Sequence, residues 1–164
     1  MPTADDLLRK LIDRDDAPAL AALARPMVFT NGVFDILHRG HVSYLATARA
    51  LGASLVVGLN SDASARGLGK GPGRPLNVKW DRACVLGALE SVDAVVLFDE
   101  PTPIALLEQC RPDVYVKGGD YDIEALVETA LVRSWGGRSL ALPYVEGYST
   151  TSIVQRILGQ DTSR

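Results

Sequence analysis

A chain of 164 residues has the size of one domain and buries roughly 70% of the surface its unfolded form exposes, so folding needs neither a disulfide scaffold nor a metal staple. Hydrophobic residues at 47% and charged residues at 23% match soluble globular proteins and exclude a disordered chain; no segment approaches the ~20 apolar residues that cross a bilayer. Seventeen basic against twenty acidic side chains give a net charge of −3, which speaks against a broad nucleic-acid or anionic-membrane surface. Any anionic partner must meet positive charge gathered locally. The start, Met1 to Asp6, has no basic region followed by an apolar stretch, and a cytoplasmic location is expected. Cys84 and Cys110 lack zinc-ligand spacing and read as reduced, half-buried thiols.

Along the chain, residues 4–24 read as one or two short amphipathic helices, with Leu7, Leu8, Leu11 and Ile12 at helical spacing before Pro18. Residues 1–25 are therefore expected to form a helical extension, and 26–164 the domain proper. From Pro26 the pattern changes to short β-rich runs at 27–30, 55–60, 94–98, 114–117 and 139–142. Helical patterns at 40–51, 79–91, 102–111 and 122–135 separate them, and a last one covers 150–158. Near-continuous apolar strands joined by helices imply parallel pairing with both faces covered. The expected fold is α/β: a Rossmann-like, doubly wound, parallel five-stranded sheet in a three-layer α/β/α sandwich. Ligands of such sheets bind beyond the carboxyl ends of the strands, where strand order reverses, so residues just after each strand are the ones to search. The stretch from Gly67 to Pro75, six of nine residues glycine or proline, is expected to be a binding loop or lid.

After the first strand comes Thr30-Asn31-Gly32-Val33-Phe34-Asp35-Ile36-Leu37-His38-Arg39-Gly40-His41. The chain's two histidines sit at i and i+3, on one face of a helical turn near a helix amino end, where unpaired N–H groups attract anions. Three readings compete: packed or solvated histidines, a two-histidine metal site, and a phosphate site. A zinc site takes three or four protein ligands, and only Asp35 stands nearby as a weak third. The position past a buried strand favours phosphate. A second turn of this kind, Glu146-Gly147-Tyr148-Ser149-Thr150-Thr151-Ser152, precedes the last helix. One hydroxyl suffices for a cap; four in a row after a glycine suit a phosphate chain at the helix dipole's positive end. Lys70, Arg74, Lys79 and Arg82 flank the glycine-rich loop, and Lys117-Gly118-Gly119-Asp120 follows the fourth strand. Neither a Gly-x-x-x-x-Gly-Lys-Ser/Thr loop nor a Gly-x-Gly-x-x-Gly turn is present, which removes most support for ATPase, kinase and dehydrogenase readings. No Gly-x-Ser-x-Gly elbow supports a hydrolase.

His38-Arg39-Gly40-His41 resembles the His-x-Gly-His turn of the nucleotidyltransferase superfamily, and Gly147-Tyr148-Ser149-Thr150-Thr151 resembles that superfamily's second signature. The likeness covers residues 26–158 and is strongest to heptose 1-phosphate adenylyltransferases, through FTNGVFDILHRGHVSYL, GLNSDAS, KGPGRPLN, VKGGDY and VEGYSTTSI. Two departures stand out. Tyr144 occupies a position where related cytidylyltransferases carry arginine, which counts against cytidylyl transfer to an alcohol such as glycerol 3-phosphate. Val33 stands where many heptose enzymes carry cysteine, and the chemistry needs no thiol.

The resemblance implies that ATP and D-glycero-β-D-manno-heptose 1-phosphate give ADP-heptose and pyrophosphate, for lipopolysaccharide core synthesis. The alternative is a cytidylyltransferase or adenylyltransferase acting on another phosphorylated alcohol. It implies catalysis by His38, His41, Lys70 and Arg74, and nucleotide contacts at Thr30, Asn31, Gly32, Phe34, Gly40, Gly147, Tyr148, Ser149, Thr150 and Thr151. Asp35, Lys117, Gly118 and Asp120 fall to the sugar phosphate. Mg²⁺ is expected on the ATP phosphates, with no dedicated metal site in the protein. A homo-oligomer is expected, with neither a nucleic-acid nor a membrane partner.

Overall fold

The computed structural model describes residues 3, 6, 8–69, 71–119, 122–143 and 145–159; Lys70, Asp120 and Tyr144 lie outside the described residues. Five strands form the sheet: β1 (Met27–Gly32), β2 (Ser54–Asn60), β3 (Ala94–Phe98), β4 (Val114–Gly118) and β5 (Arg138–Leu142). All neighbours pair in parallel, in the order β3-β2-β1-β4-β5. The helices whose bounds fall among the described residues are α1 (Ala17–Ala21), α2 (Arg39–Arg49), α3 (Asp62–Gly67), α4 (Lys79–Gly87), α5 (Ile104–Cys110), α6 (Val127–Ser134) and α7 (Thr150–Ile157). A short 3₁₀ turn at Ile123–Ala125 precedes α6. No helix among the described residues is long and apolar enough to cross a membrane.

The sequence pattern explains the layers. Every residue of β2 is buried, because parallel neighbours need crossover helices and these cover both faces. Alternate side chains of the central strands enter two cores. Val28, Leu45, Leu55, Val57 and Leu86 pack on one face. Met27, Phe29, Val56, Leu106 and Tyr115 pack on the other. Burial of each such aliphatic or aromatic side chain contributes about 1.5–3 kcal/mol. Cys110 belongs to the second core, and burial pushes its thiol up to about 11, so it is an inert packing group.

Between residue 8 and β1, Ala17–Ala21 is the helical stretch. Lys10 to Ile12 instead runs beside β3: the Ile12 N–H donates to the Val95 carbonyl (2.9 Å) and the Val95 N–H to the Lys10 carbonyl (2.8 Å). The unpaired backbone of an edge strand offers these residues an alternative to helical hydrogen bonds. Lys10 Nζ adds bonds to the carbonyls of Leu89 (2.9 Å) and Val92 (2.6 Å), while Leu8 and Leu11 pack on the first core. Helix α3 has no counterpart in the sequence reading. Its six residues are started by Ser61, whose Oγ accepts from the Ser64 N–H.

The feature that positions the site is the gap between β1 and β4. Pairing of β1 with β2 persists to Gly32↔Leu59, and of β4 with β5 to Gly118↔Leu142. Between β1 and β4 it stops at Phe29↔Tyr115. The two central strands separate toward their carboxyl ends, at the point where strand order reverses.

Candidate active site

Beyond Gly32 the chain turns through Phe34, whose φ of 48° places a bulky residue in the left-handed region. That conformation is costly for a non-glycine residue and persists only where packing enforces it. Here it buries Phe34 and sets its ring edge-on to His41, with centroids 5.3 Å apart. His38 is the N-cap of α2, with extended backbone and no capping bond from its side chain. Its ring stacks on His41 at 3.9 Å between centroids and 22° between planes, as the i, i+3 spacing allows. Buried Nδ1 of His38 has no hydrogen-bond partner among the described residues, and burial holds the pKa of this imidazole below the ordinary 6.5. An orphaned buried nitrogen beside a cavity points to a ligand that completes it.

Gly40 joins this turn to the second one. A Cβ at Gly40 would lie 3.0 Å from the His38 ring and 3.1 Å from the Tyr148 Cβ, so a side chain there would push the two turns apart. Gly147, at φ 81°, makes the bend that brings Tyr148 and α7 to this contact. Ser149 Oγ caps α7 by accepting from the Ser152 N–H (3.0 Å), and Thr150 Oγ1 donates to the Ile36 carbonyl (3.1 Å). The hydroxyl of Thr151 has no protein partner among the described residues, and the first N–H groups of α7 have no helical acceptor by geometry.

The glycine-rich loop is pinned to the first turn by a carboxylate. Asp35 accepts from Arg74 Nη1 (3.0 Å), from the Leu76 N–H (2.8 Å) and from the Asn77 N–H (2.9 Å). Burial alone would raise this carboxyl, but the N–H groups of Asn77 and Leu76 and the Arg74 guanidinium outweigh it and hold the pKa below the ordinary value. The fully buried Arg82 reinforces the anchor, donating to the carbonyls of Val33 (2.6 Å) and Asn77 (3.0 Å) and pairing with Asp62 at 2.7 Å.

Two cavities result. The first, about 280 Å³, is lined by His38, His41, Arg74 and the Tyr148–Thr151 turn, with Asp35 in its wall. The second, about 330 Å³, opens between the diverging ends of β1 and β4 and is lined by Asn31, Gly32, Asn60, Lys117, Gly118 and Glu128. Val33, Phe34 and His41 border both. Asn31 Oδ1 accepts from Tyr115 Oη (3.1 Å) and Lys117 Nζ (3.3 Å), which bridges the splayed strands.

The structure thus brings His38, His41, Phe34, Asp35, Arg74, Tyr148, Ser149, Thr150 and Thr151 together around one cavity, and Asn31, Gly32, Lys117 and Gly118 around its neighbour. The Thr30 side chain lies apart from both, bonded to Tyr44 Oη at 2.6 Å inside the sheet. Its role in this structure is to tie β1 to α2. The carboxylate of Asp35 faces loop donors, so what it does here is hold the loop. Sequence reasoning missed Asn60, Glu128 and the anchoring by Arg82. Asn60 ends β2, where the search rule for parallel sheets would have found it. Glu128 carried no mark, since one acidic residue in an amphipathic helix reads as solvated.

No cluster of three or more His, Cys, Asp or Glu among the described residues is placed to hold a metal ion. Two helix starts and an imidazole pair converge on one cavity, beside a second cavity at the strand switch. A family model for cytidylyltransferase-like proteins matches residues 29–156, and the chain belongs to that family. In particular, it is 56% identical over 151 residues to the D-beta-D-heptose 1-phosphate adenylyltransferase of Bordetella bronchiseptica, covering 90% of this chain and 93% of that protein. It is also 56% identical to the bifunctional protein HldE of Magnetococcus marinus, covering 85% of this chain but only 28% of that longer protein. Among solved structures, the lipopolysaccharide core biosynthesis protein from Thermoplasma volcanium superposes with a TM-score of 0.62 at 28% identity, over 75% of this chain and 98% of that one. Pantothenate synthetase from Thermus thermophilus shares the fold alone, with a TM-score of 0.58 at 16% identity over 88% of this chain and 67% of that one.

Proposed function

We propose that this protein transfers the adenylyl group of ATP to D-glycero-β-D-manno-heptose 1-phosphate, releasing pyrophosphate. The observation that carries the reading is the stacked His38–His41 pair facing the start of α7 across one cavity while His41 also borders a second. That layout suits a triphosphate meeting another phosphate at the shared wall. The choice of adenine and heptose is supported by the near end-to-end similarity to the Bordetella protein.

In the step itself, an oxygen of the sugar phosphate attacks the α-phosphorus in line. A new P–O bond forms, the bond from the α-phosphorus to its bridging oxygen breaks, and pyrophosphate leaves with the electron pair. The nucleophile needs no general base, because a phosphate monoester has a second pKa of about 6 and is largely ionised at neutral pH. The barrier lies in bringing two polyanions together, so the protein's part is positioning and charge stabilisation. His38 and His41 donate to α-phosphate oxygens; an arriving phosphate would supply the partner that buried His38 Nδ1 lacks. The N–H groups and hydroxyls at Ser149, Thr150 and Thr151 hold the nucleotide phosphates. Lys70 and Arg74 bring the loop's positive charge to the phosphates. Lys117 and Gly118 fall on the sugar-phosphate side, where the diverging strands leave room, and the family resemblance assigns Asp120 to the same substrate. ATP would enter as its Mg²⁺ complex, the ion offsetting part of the phosphate charge.

The test is pyrophosphate release across a panel of ATP and CTP against heptose 1-phosphate, mannose 1-phosphate and glycerol 3-phosphate. The expected result is a kcat/KM for ATP with the heptose exceeding every other pair by about tenfold or more. Turnover of another pair with none for ATP and heptose 1-phosphate would overturn the assignment.

A further inference from the structure

Glu128 is the second residue of α6 and is 8% exposed. It lines the second cavity, and it is the one acidic side chain on that wall among the described residues. The other strongly buried carboxylate, Asp35, accepts three hydrogen bonds from neighbouring loop residues and an ion pair is among them. Glu128 has no hydrogen bond or ion pair to any described residue. A carboxylate that lines a cavity without protein donors takes its hydrogen bonds from water or from a ligand held there. Its place in the first turn of α6 favours negative charge but satisfies neither oxygen.

The chemistry of the missing donors follows from the surroundings. A carboxylate repels phosphate, so Glu128 cannot be a phosphate contact. The cavity wall supplies Lys117 for an anionic group, leaving Glu128 to accept from neutral donors. Two carboxylate oxygens with parallel lone pairs match two adjacent hydroxyls on a sugar ring. Both substrates of the proposed reaction carry such hydroxyls, at C2, C3 and C4 of the heptose ring and at C2′ and C3′ of the ATP ribose. We infer that Glu128 accepts from a vicinal diol in the second cavity and so sets which sugar ring that cavity admits. The inference rests on the adenylyl-transfer reading above and adds a specificity residue to it.

The test is steady-state pyrophosphate release by Glu128→Gln and Glu128→Ala, with ATP and heptose 1-phosphate varied separately, and with 2′-deoxy-ATP and a ring-deoxy sugar 1-phosphate as probes. The expected result is a rise in KM for one of the two substrates, about tenfold in the glutamine variant and up to about a hundredfold in the alanine variant, the range for a lost bond to a charged acceptor. Both kcat and the other KM should stay within threefold. The parent should discriminate against the deoxy form of the affected substrate, and the variants should not; a general packing defect would not erase that difference. A shift confined to ATP and 2′-deoxy-ATP assigns the diol to ribose, and one confined to the sugar phosphate assigns it to the heptose. If Glu128→Ala does not fold, the near-isosteric glutamine variant decides. Unchanged KM values with intact discrimination in an active protein would overturn the inference alone. A parent without adenylyl transfer to any sugar phosphate would overturn the adenylyl-transfer reading and the inference together.

Discussion

The two turns that face each other across the first cavity are built in opposite ways. The turn after β1 is set into the core: Phe34, Asp35 and Gly40 are buried, and Arg82 is buried behind it. The turn after β5 is set on the surface: Ser139 is the one buried residue of β5, α7 buries none of its residues, and its start is held mainly by its own serines. One wall is therefore pre-formed, with its imidazoles fixed before any ligand arrives, whereas the other owes its order to a local cap and to the contact across Gly40. Transition-state stabilisation and substrate capture should therefore separate between the two walls. Preorganised donors act on kcat, and an adjustable wall acts on binding.

The sharpest way to break this contrast is His41→Ala. Loss of one preorganised donor at the shared wall should lower kcat by ~10²–10³ in the pyrophosphate assay, and a variant within threefold of the parent would remove the imidazole from the mechanism. Next comes Asp35→Asn, which keeps the size of the loop anchor but removes its charge. Breaking a buried pair of this kind should cost about 3 kcal/mol in chemical denaturation. The same variant should alter acid sensitivity. Asp35 has a lowered pKa in the folded state, so its stabilisation is present above the ordinary 3.8 and is lost as pH falls through the folded value. That part of the acid transition should be missing in Asp35→Asn.

On the adjustable wall, Ser149→Ala should cost only about 1 kcal/mol, the usual worth of an N-cap. Its mark should be a higher KM for ATP with hydrogen exchange accelerated in α7 alone. Faster exchange throughout the sheet would show that this wall is as deeply integrated as the first. The smallest effect is a titration. His38 binds its proton less readily when folded, so between the folded value and the ordinary 6.5 stability should rise with pH. An NMR titration should place His38 below 6.5 in the unliganded protein, and nucleotide should raise it as phosphate charge approaches. A His38 titrating at or above 6.5 without ligand would contradict its burial.

Much of this was legible in the sequence because the deciding cues were local. Apolar runs of strand length gave the sheet, and the His38-Arg39-Gly40-His41 and Gly147–Thr151 turns gave both walls of the first cavity. What escaped depended on partners far apart in the chain. Arg82 looks like a surface cation until Asp62 and the Val33 carbonyl are brought to it. Thr30 lies in the motif by position, yet its hydroxyl is turned to Tyr44, a choice that only the packing of α2 on β1 decides. The Lys10–Ile12 segment carries a helical pattern, and its conversion to an edge partner required knowing which strand would be left at the border.

That border has a practical meaning. By lying along β3, Lys10 to Ile12 works like a hem on cloth, occupying backbone positions through which a neighbouring molecule could otherwise stitch on. Trimming the chain back to Pro26 would leave the proposed catalytic groups in place and still unravel the preparation, because Val95 would present an open ladder to the next sheet.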